Sequence, residues 1–261
     1  MLLKSSSSIV VILGLAFASS ANCFPQSRVV NGTDADILEY PFIVSMRGPT
    51  GTHSCGASIV APRWILTASH CVSGRTADQL SIQYASTHIS PASENVVQVK
   101  RIVMHEDYRP SDSYANDIAL LELKGSLIYN YKTIAPVTLP DRYFEIDQVP
   151  EGAPGILAGW GVNSTFGSLQ NHLQSVNLKI YSDEECQLRH KNATTADHLC
   201  GGVDEGGKGQ CSGDSGGPLV YNGSVQLGIV SWSIKPCTVA PFPGVYTKVS
   251  HYVDWIYKHI H

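Results

Sequence analysis

One stretch near the end of the chain, Gly209-Gln210-Cys211-Ser212-Gly213-Asp214-Ser215-Gly216-Gly217-Pro218, leaves little freedom in what the chain can become. Glycines on both sides of a serine let the backbone approach a reacting carbonyl and aim N–H groups at it, which acyl transfer to a hydroxyl requires. The same letters satisfy G-x-S-x-G, the tight strand-to-helix turn that presents a nucleophile in another group of hydrolases. Chain order separates the two readings. In that alternative the acid and the histidine follow the serine, yet beyond Ser215 the only acidic residue is Asp254, close to His251 in a terminal segment. Upstream stands a better pair: His70, in Leu66-Thr67-Ala68-Ser69-His70-Cys71, and Asp117, in Asn116-Asp117-Ile118-Ala119-Leu120-Leu121.

With 261 residues, 43% of them hydrophobic and 15% charged, the chain is long enough for a sizeable core. A net charge of −4 without any block of lysine and arginine argues against nucleic acid as a partner. Beyond the N-terminus no apolar run is long enough to span a membrane. Residues 1–21 read as a secretory signal, with Lys4 for positive charge, Ile9 to Phe17 as the apolar stretch and Ser19-Ser20-Ala21 as a small-residue cleavage site. Secretion implies an oxidising compartment. After Cys23 six cysteines remain, which allow fifteen pairings, and local sequence does not choose among them.

No metal or cofactor is expected. There is no C-x-x-C pair, and His105-Glu106 opens like the zinc motif H-E-x-x-H but lacks the second histidine. His259 and His261 read as a solvated tail, and Tyr84 to Asn95 offers a calcium ion only Glu94. Four N-x-S/T acceptors, Asn31, Asn163, Asn192 and Asn222, are candidate glycosylation sites in a secreted chain.

Short β-rich runs broken by turn residues fill the middle of the chain: Phe42 to Met46, Ser58 to Val60, Trp64 to Leu66, Val96 to Met104 and Ile118 to Leu123. A second set covers Gly155 to Trp160, Gln174 to Ile180, Pro218 to Trp232 and Gly244 to Val249. This spacing predicts an all-β barrel or sandwich. Asn222-Gly223 predicts a type I′ hairpin turn. Val249, Val253, Ile256 and Ile260 recur at helical period, predicting a C-terminal amphipathic helix packed on the second set of strands.

The three blocks around His70, Asp117 and Ser215 together resemble the chymotrypsin-like serine proteases, which read T-A-A-H-C, D-I-A-L-L and G-D-S-G-G-P in that order. The resemblance runs from Arg28 to the C-terminus. It implies two antiparallel six-stranded β-barrels with a C-terminal α-helix, and a cleft between the barrels where Ser215 is nucleophile, His70 base and Asp117 its orienter. It implies an oxyanion hole from the N–H groups of Gly213 and Ser215, and disulfides Cys55–Cys71, Cys186–Cys200 and Cys211–Cys237. It also implies a precursor: residues 22–28 form an activation peptide, cleavage after Arg28 frees Val29 as the N-terminus of a protease domain over 29–261, and Asp214 is the buried partner of the new ammonium.

The aligned pocket residues are Gly209, Gln210, Ser231, Trp232, Ser233 and Gly244. Gly209 falls where trypsin-type members carry an acidic floor, so a substrate lysine or arginine would lose hydration without gaining a carboxylate. The expectation is therefore a secreted, monomeric endopeptidase that cleaves proteins or peptides after large apolar residues. Its expected partners are an activating trypsin-like protease and protease inhibitors. Ser233, in place of the usual glycine, leaves an elastase-like preference for small apolar residues as an alternative. A non-catalytic homologue acting by binding is a further one.

Overall fold

The computed structural model describes residues 29–91, 95–150 and 153–260. The signal and activation segments, with Cys23 and Arg28, lie outside the described residues, as do Glu94 and His261. The first barrel is built from β2 (Ile43–Arg47), β3 (His53–Ala61), β4 (Trp64–Thr67), β5 (Ser81–Gln83), β6 (Val96–Met104) and β7 (Ala119–Leu123). They close in the order β2-β3-β4-β7-β6-β5, every pairing antiparallel. Closure leaves no free sheet edge. Met46, Ile59, Ile65, Leu66, Ile82 and Leu120 are buried in the cluster built on this barrel.

The second barrel uses β8 (Gly155–Gly159), β9 (Gln174–Tyr181), β10 (His198–Gly202), β11 (Pro218–Tyr221), β12 (Val225–Trp232) and β13 (Gly244–Lys248). These pair as β8-β9-β10-β13-β12-β11 and back to β8, and the short β1 (Thr33–Asp34) adds to one end of β9. The all-β architecture expected from the strand spacing, and the two six-stranded barrels implied by the resemblance, are both present. Asn222 and Gly223 have φ of 49° and 78°, as a type I′ turn demands.

Of the three disulfides, Cys55–Cys71 and Cys186–Cys200 each tie a helix to a strand, and Cys211–Cys237 joins two loops. The first fixes the short helix α1 (Ser69–Val72) onto β3. The second joins α2 (Asp183–Arg189), capped by the Ser182 hydroxyl accepting from the Glu185 N–H, to β10. Among the described residues no helix is long and apolar enough to cross a membrane.

The C-terminal helix α3 (Val253–Ile260) forms where its period predicts, preceded by a 3-10 turn over Val249–Tyr252. Its packing differs from the expectation. Trp255 and Ile256 join the cluster that forms the core of the first barrel, to which the second barrel contributes Ile229 of β12. Trp255 donates its indole N–H to Glu106 at 2.9 Å and lies against His105, so the incomplete zinc motif is the seat of the helix. Periodicity says which face is buried and is silent on what covers it. Ile256 is fully buried. Ile256→Ala is expected to lower unfolding free energy by about 2–5 kcal/mol, read as a shifted denaturant midpoint at constant slope.

Candidate active site

His70 sits in α1, and Asp117 lies just ahead of β7, which pairs with β4 leading into that helix. Ser69 donates its hydroxyl to the Ile118 carbonyl at 2.6 Å, pinning the two segments together. The Asp117 carboxylate is fully buried and accepts three hydrogen bonds. His70 gives two, its backbone N–H to Oδ1 at 2.8 Å and ring Nδ1 to Oδ2 at 2.7 Å. Ser231, from β12 of the other barrel, gives the third at 2.6 Å. A carboxylate only accepts, so Nδ1 carries the proton and the neutral ring keeps its lone pair on Nε2.

His70 and Ser215 border the same cavity, of about 290 Å³, together with Tyr114, Gln210, Trp232 and Ser233. No hydrogen bond joins Ser215 Oγ to His70 Nε2, and Cys71 Sγ lies 3.7 Å from that nitrogen. Contacts of this kind are commonly long before substrate is bound.

The loop carrying Ser215 is held by its carbonyls. The Ser215 carbonyl accepts from the Gly56 N–H at 2.8 Å. His53 Nε2 is 2.9 Å from the Gly213 carbonyl, and His53 Nδ1 is 2.8 Å from Ser45 Oγ. Burial pushes the His53 pKa down to about 4. The neutral ring therefore donates from Nε2 to Gly213 and accepts from the Ser45 hydroxyl. The N–H groups of Gly213 and Ser215 themselves have no protein acceptor among the described residues. Gly213 has φ of 96°, a backbone conformation that favours glycine.

Asp214 points the opposite way, into the second barrel. Its carboxylate is 1% exposed and accepts from the Gly161 N–H at 2.8 Å and the Cys211 N–H at 3.0 Å. Among the described residues it has no ion-pair partner. Burial raises its pKa to about 6, opposed by the two amides and by Lys235. Val29 is itself fully buried, among Leu157, Val176 and Tyr246 of the second barrel.

The pocket residues divide. Gln210, Ser231, Trp232 and Ser233 border the cavity, whereas Gly209 and Gly244 do not. The Gln210 side chain lies on Gly244, where a Cβ would come within 2.8 Å of Gln210 Cδ, and donates to the Trp232 carbonyl at 2.6 Å. Among the described residues the one cluster of potential metal-ligating atoms is Cys55, His70 and Cys71, and its two sulfurs are bonded to each other.

The Trypsin family model matches residues 29–256. The chain belongs to the trypsin family. It is 38% identical over 242 residues to Trypsin-1 of Astacus astacus, covering 87% of this chain and 98% of that one. It is 36% identical over 257 residues to Trypsin II-P29 of Gallus gallus, covering 96% and 98%, and 36% identical over 230 residues to Chymotrypsin-2 of Vespa crabro, covering 88% and 99%. As a member of this family the chain is a serine endopeptidase, and its three disulfides fit an extracellular setting.

Sequence reasoning overlooked two polar supports of this trypsin-family site, the Ser45–His53 pair behind Gly213 and the part of Ser231 in holding Asp117. Neither has a local signature, since the contacts span 160 and 114 residues. Asp214 yields a pH prediction. Its folded pKa lies above that of an exposed aspartate, so protonation favours the fold: this stability is complete below about pH 4 and is lost as pH rises through about 6. Relative to Asp214→Asn, the unprocessed chain is expected to lose about 3 kcal/mol of unfolding free energy between pH 4 and 7. Denaturant titrations across that range check it, and a pH-independent difference between the two proteins overturns it.

Proposed function

We propose that this endopeptidase works through Ser215, His70 and Asp117 by way of an acyl-enzyme. The observation that carries the reading is the imidazole of His70, bonded on its Nδ1 side to a fully buried carboxylate and bordering on its other side the cavity that Ser215 lines. Ser215 Oγ attacks the scissile carbonyl as its proton passes to His70 Nε2. The resulting imidazolium is stabilised by Asp117 and returns the proton to the departing amine. The N–H groups of Gly213 and Ser215 receive the oxyanion, each worth a factor on the order of 10²–10³ in rate. Water, deprotonated by His70, then attacks the ester carbonyl and releases the acid and free Ser215.

In this reading the cavity receives the side chain before the scissile bond. Among the described residues no carboxylate borders this cavity to meet a lysine or arginine, and Val230 and Trp232 supply apolar wall for a large apolar side chain, whose burial contributes about 1.5–3 kcal/mol. The end of β12, at Ser231 and Trp232, pairs with the extended substrate as an added strand.

The chain is made as a secreted precursor, with residues 1–21 as signal, 22–28 as activation peptide and 29–261 as protease domain. Cleavage after Arg28 gives Val29 an ammonium that pairs with Asp214, a carboxylate that among the described residues has no cation bonded to it. A pocket unsuited to arginine makes a separate trypsin-like protease the activator. The enzyme acts as a monomer on protein or peptide substrates and is restrained by protease inhibitors. Asn192 and Asn222, both exposed, are the better-presented glycan acceptors; Asn163 is half-buried, and the Asn31 amide is engaged by the Gly207 carbonyl.

The test is kinetic. On trypsin-processed protein, Ser215→Ala is expected to abolish cleavage of a peptide with leucine or phenylalanine before the scissile bond. Asp117→Asn should lower kcat by about 10⁴, a magnitude carried over from other members of the family. Undiminished turnover in Ser215→Ala sinks the mechanism. Arg28→Gln is expected to leave the chain inactive after trypsin treatment, followed by mass of the N-terminal fragment and by peptide hydrolysis. Rapid self-processing of purified wild-type precursor would contradict the need for a separate activator.

A further inference from the structure

The cavity beside Ser215 holds a charge that the reading above does not use. Lys235 stands on the exposed segment of 234–236 at the rim and lines the cavity with its side chain. Its ammonium is turned onto a disulfide, 2.8 Å from Cys237 Sγ and 3.9 Å from Cys211 Sγ. Disulfide sulfurs are poor acceptors for an ammonium. Among the described residues no carboxylate forms an ion pair with Lys235. Burial pushes its pKa down while Asp214 pulls it up, so the cation senses that carboxylate through the wall. Asp214 is 1% exposed and engaged by two backbone amides, out of reach of anything that enters the cavity. Once Asp214 has received the Val29 ammonium, as proposed above, Lys235 faces the pocket without a compensating anion.

A half-shielded ammonium with only sulfur for company gains most from a carboxylate brought to it, because a charge-assisted hydrogen bond replaces a poor one. The same charge repels a lysine or arginine side chain, and among the described residues no carboxylate borders the cavity to offset it. The walls suit a side chain with an apolar stem, since Val230 and Trp232 flank the space below the rim. We infer that Lys235 is a specificity-determining residue, and that the processed enzyme accepts glutamate before the scissile bond in preference to glutamine, the glutamate carboxylate pairing with the Lys235 ammonium. This rests on Ser215 as nucleophile and on the cavity as the pocket for that side chain. It adds to the apolar class a second one with an apolar stem and an anionic tip.

Glutamate and glutamine differ in charge and little in shape, so a peptide pair differing only there isolates the effect. Full-length protein is processed with immobilised trypsin, active sites are counted by labelling Ser215 with a fluorophosphonate, and kcat/KM is measured on the pair and on a leucine peptide. The expected Glu-to-Gln ratio is about tenfold, kept in Lys235→Arg, reduced to about one in Lys235→Gln and below one in Lys235→Glu. In the wild type the ratio should also fall with added salt, as a partly exposed charge pair must, so the inference stays testable should a variant fail to label. A labelled wild-type enzyme that cleaves the leucine peptide with a Glu-to-Gln ratio of one or less overturns the inference alone. A tenfold ratio unmoved by Lys235→Gln and by salt overturns it as well. Absence of both label and cleavage overturns it together with the reading beneath it.

Discussion

A carboxylate with no exposure to water, Asp117, is the interaction on which the two halves of the molecule agree. A buried carboxylate left short of donors would be costly, and its three hydrogen bonds come from both barrels: two from His70 in the first, one from Ser231 in the second. Thr247 of β13 adds a bond to the Asp117 carbonyl at 2.8 Å. The cleft is therefore a seam that one acid holds in register, and the orientation of the His70 ring follows from that registration. Core packing reinforces it, since Phe42 and Ile43 of the first barrel share a cluster with Ala158, Trp160 and Val220 of the second.

Much of this was legible in the sequence because the family's chemistry is written in contiguous blocks. The segments around His70, Asp117 and Ser215 each carry their own backbone requirement, and alternating apolar runs placed most of the strands. The elements that escaped are those whose cues are weak or long-range. β5 is short and has polar Ser81 and Gln83 buried, so alternation hides it. β10 contains two glycines and a histidine, and it is a strand because β9 and β13 flank it. α2 had a readable start, Ser182 followed by three acids, in a segment too short to show period. The terminal helix displayed its apolar face correctly, and its partner was decided by where the chain ran after β13 and by the seat that His105 and Glu106 offer Trp255.

The pocket shows a different limit. Alignment of short blocks identified which positions matter and could not say which of them face the space. Gln210 aligns with the pocket in the sequence; in the fold its side chain covers Gly244 and its amide is bonded to the Trp232 carbonyl. Lys235 turns back over the Cys211–Cys237 bridge. Both outcomes depend on rotamers chosen by tertiary neighbours, which no pattern of letters encodes.

The link from Ser45 through His53 to Gly213 has a bearing on how such a molecule can change over time. The Gly213 carbonyl in the second half is held by a side chain on the first, across a span of 160 residues. Neither half is then a transplantable module. A hybrid that joined this N-terminal barrel to the C-terminal barrel of a relative would inherit a loop tethered to a stranger's scaffold, and both barrels could fold soundly while the segment around Ser215 settled elsewhere.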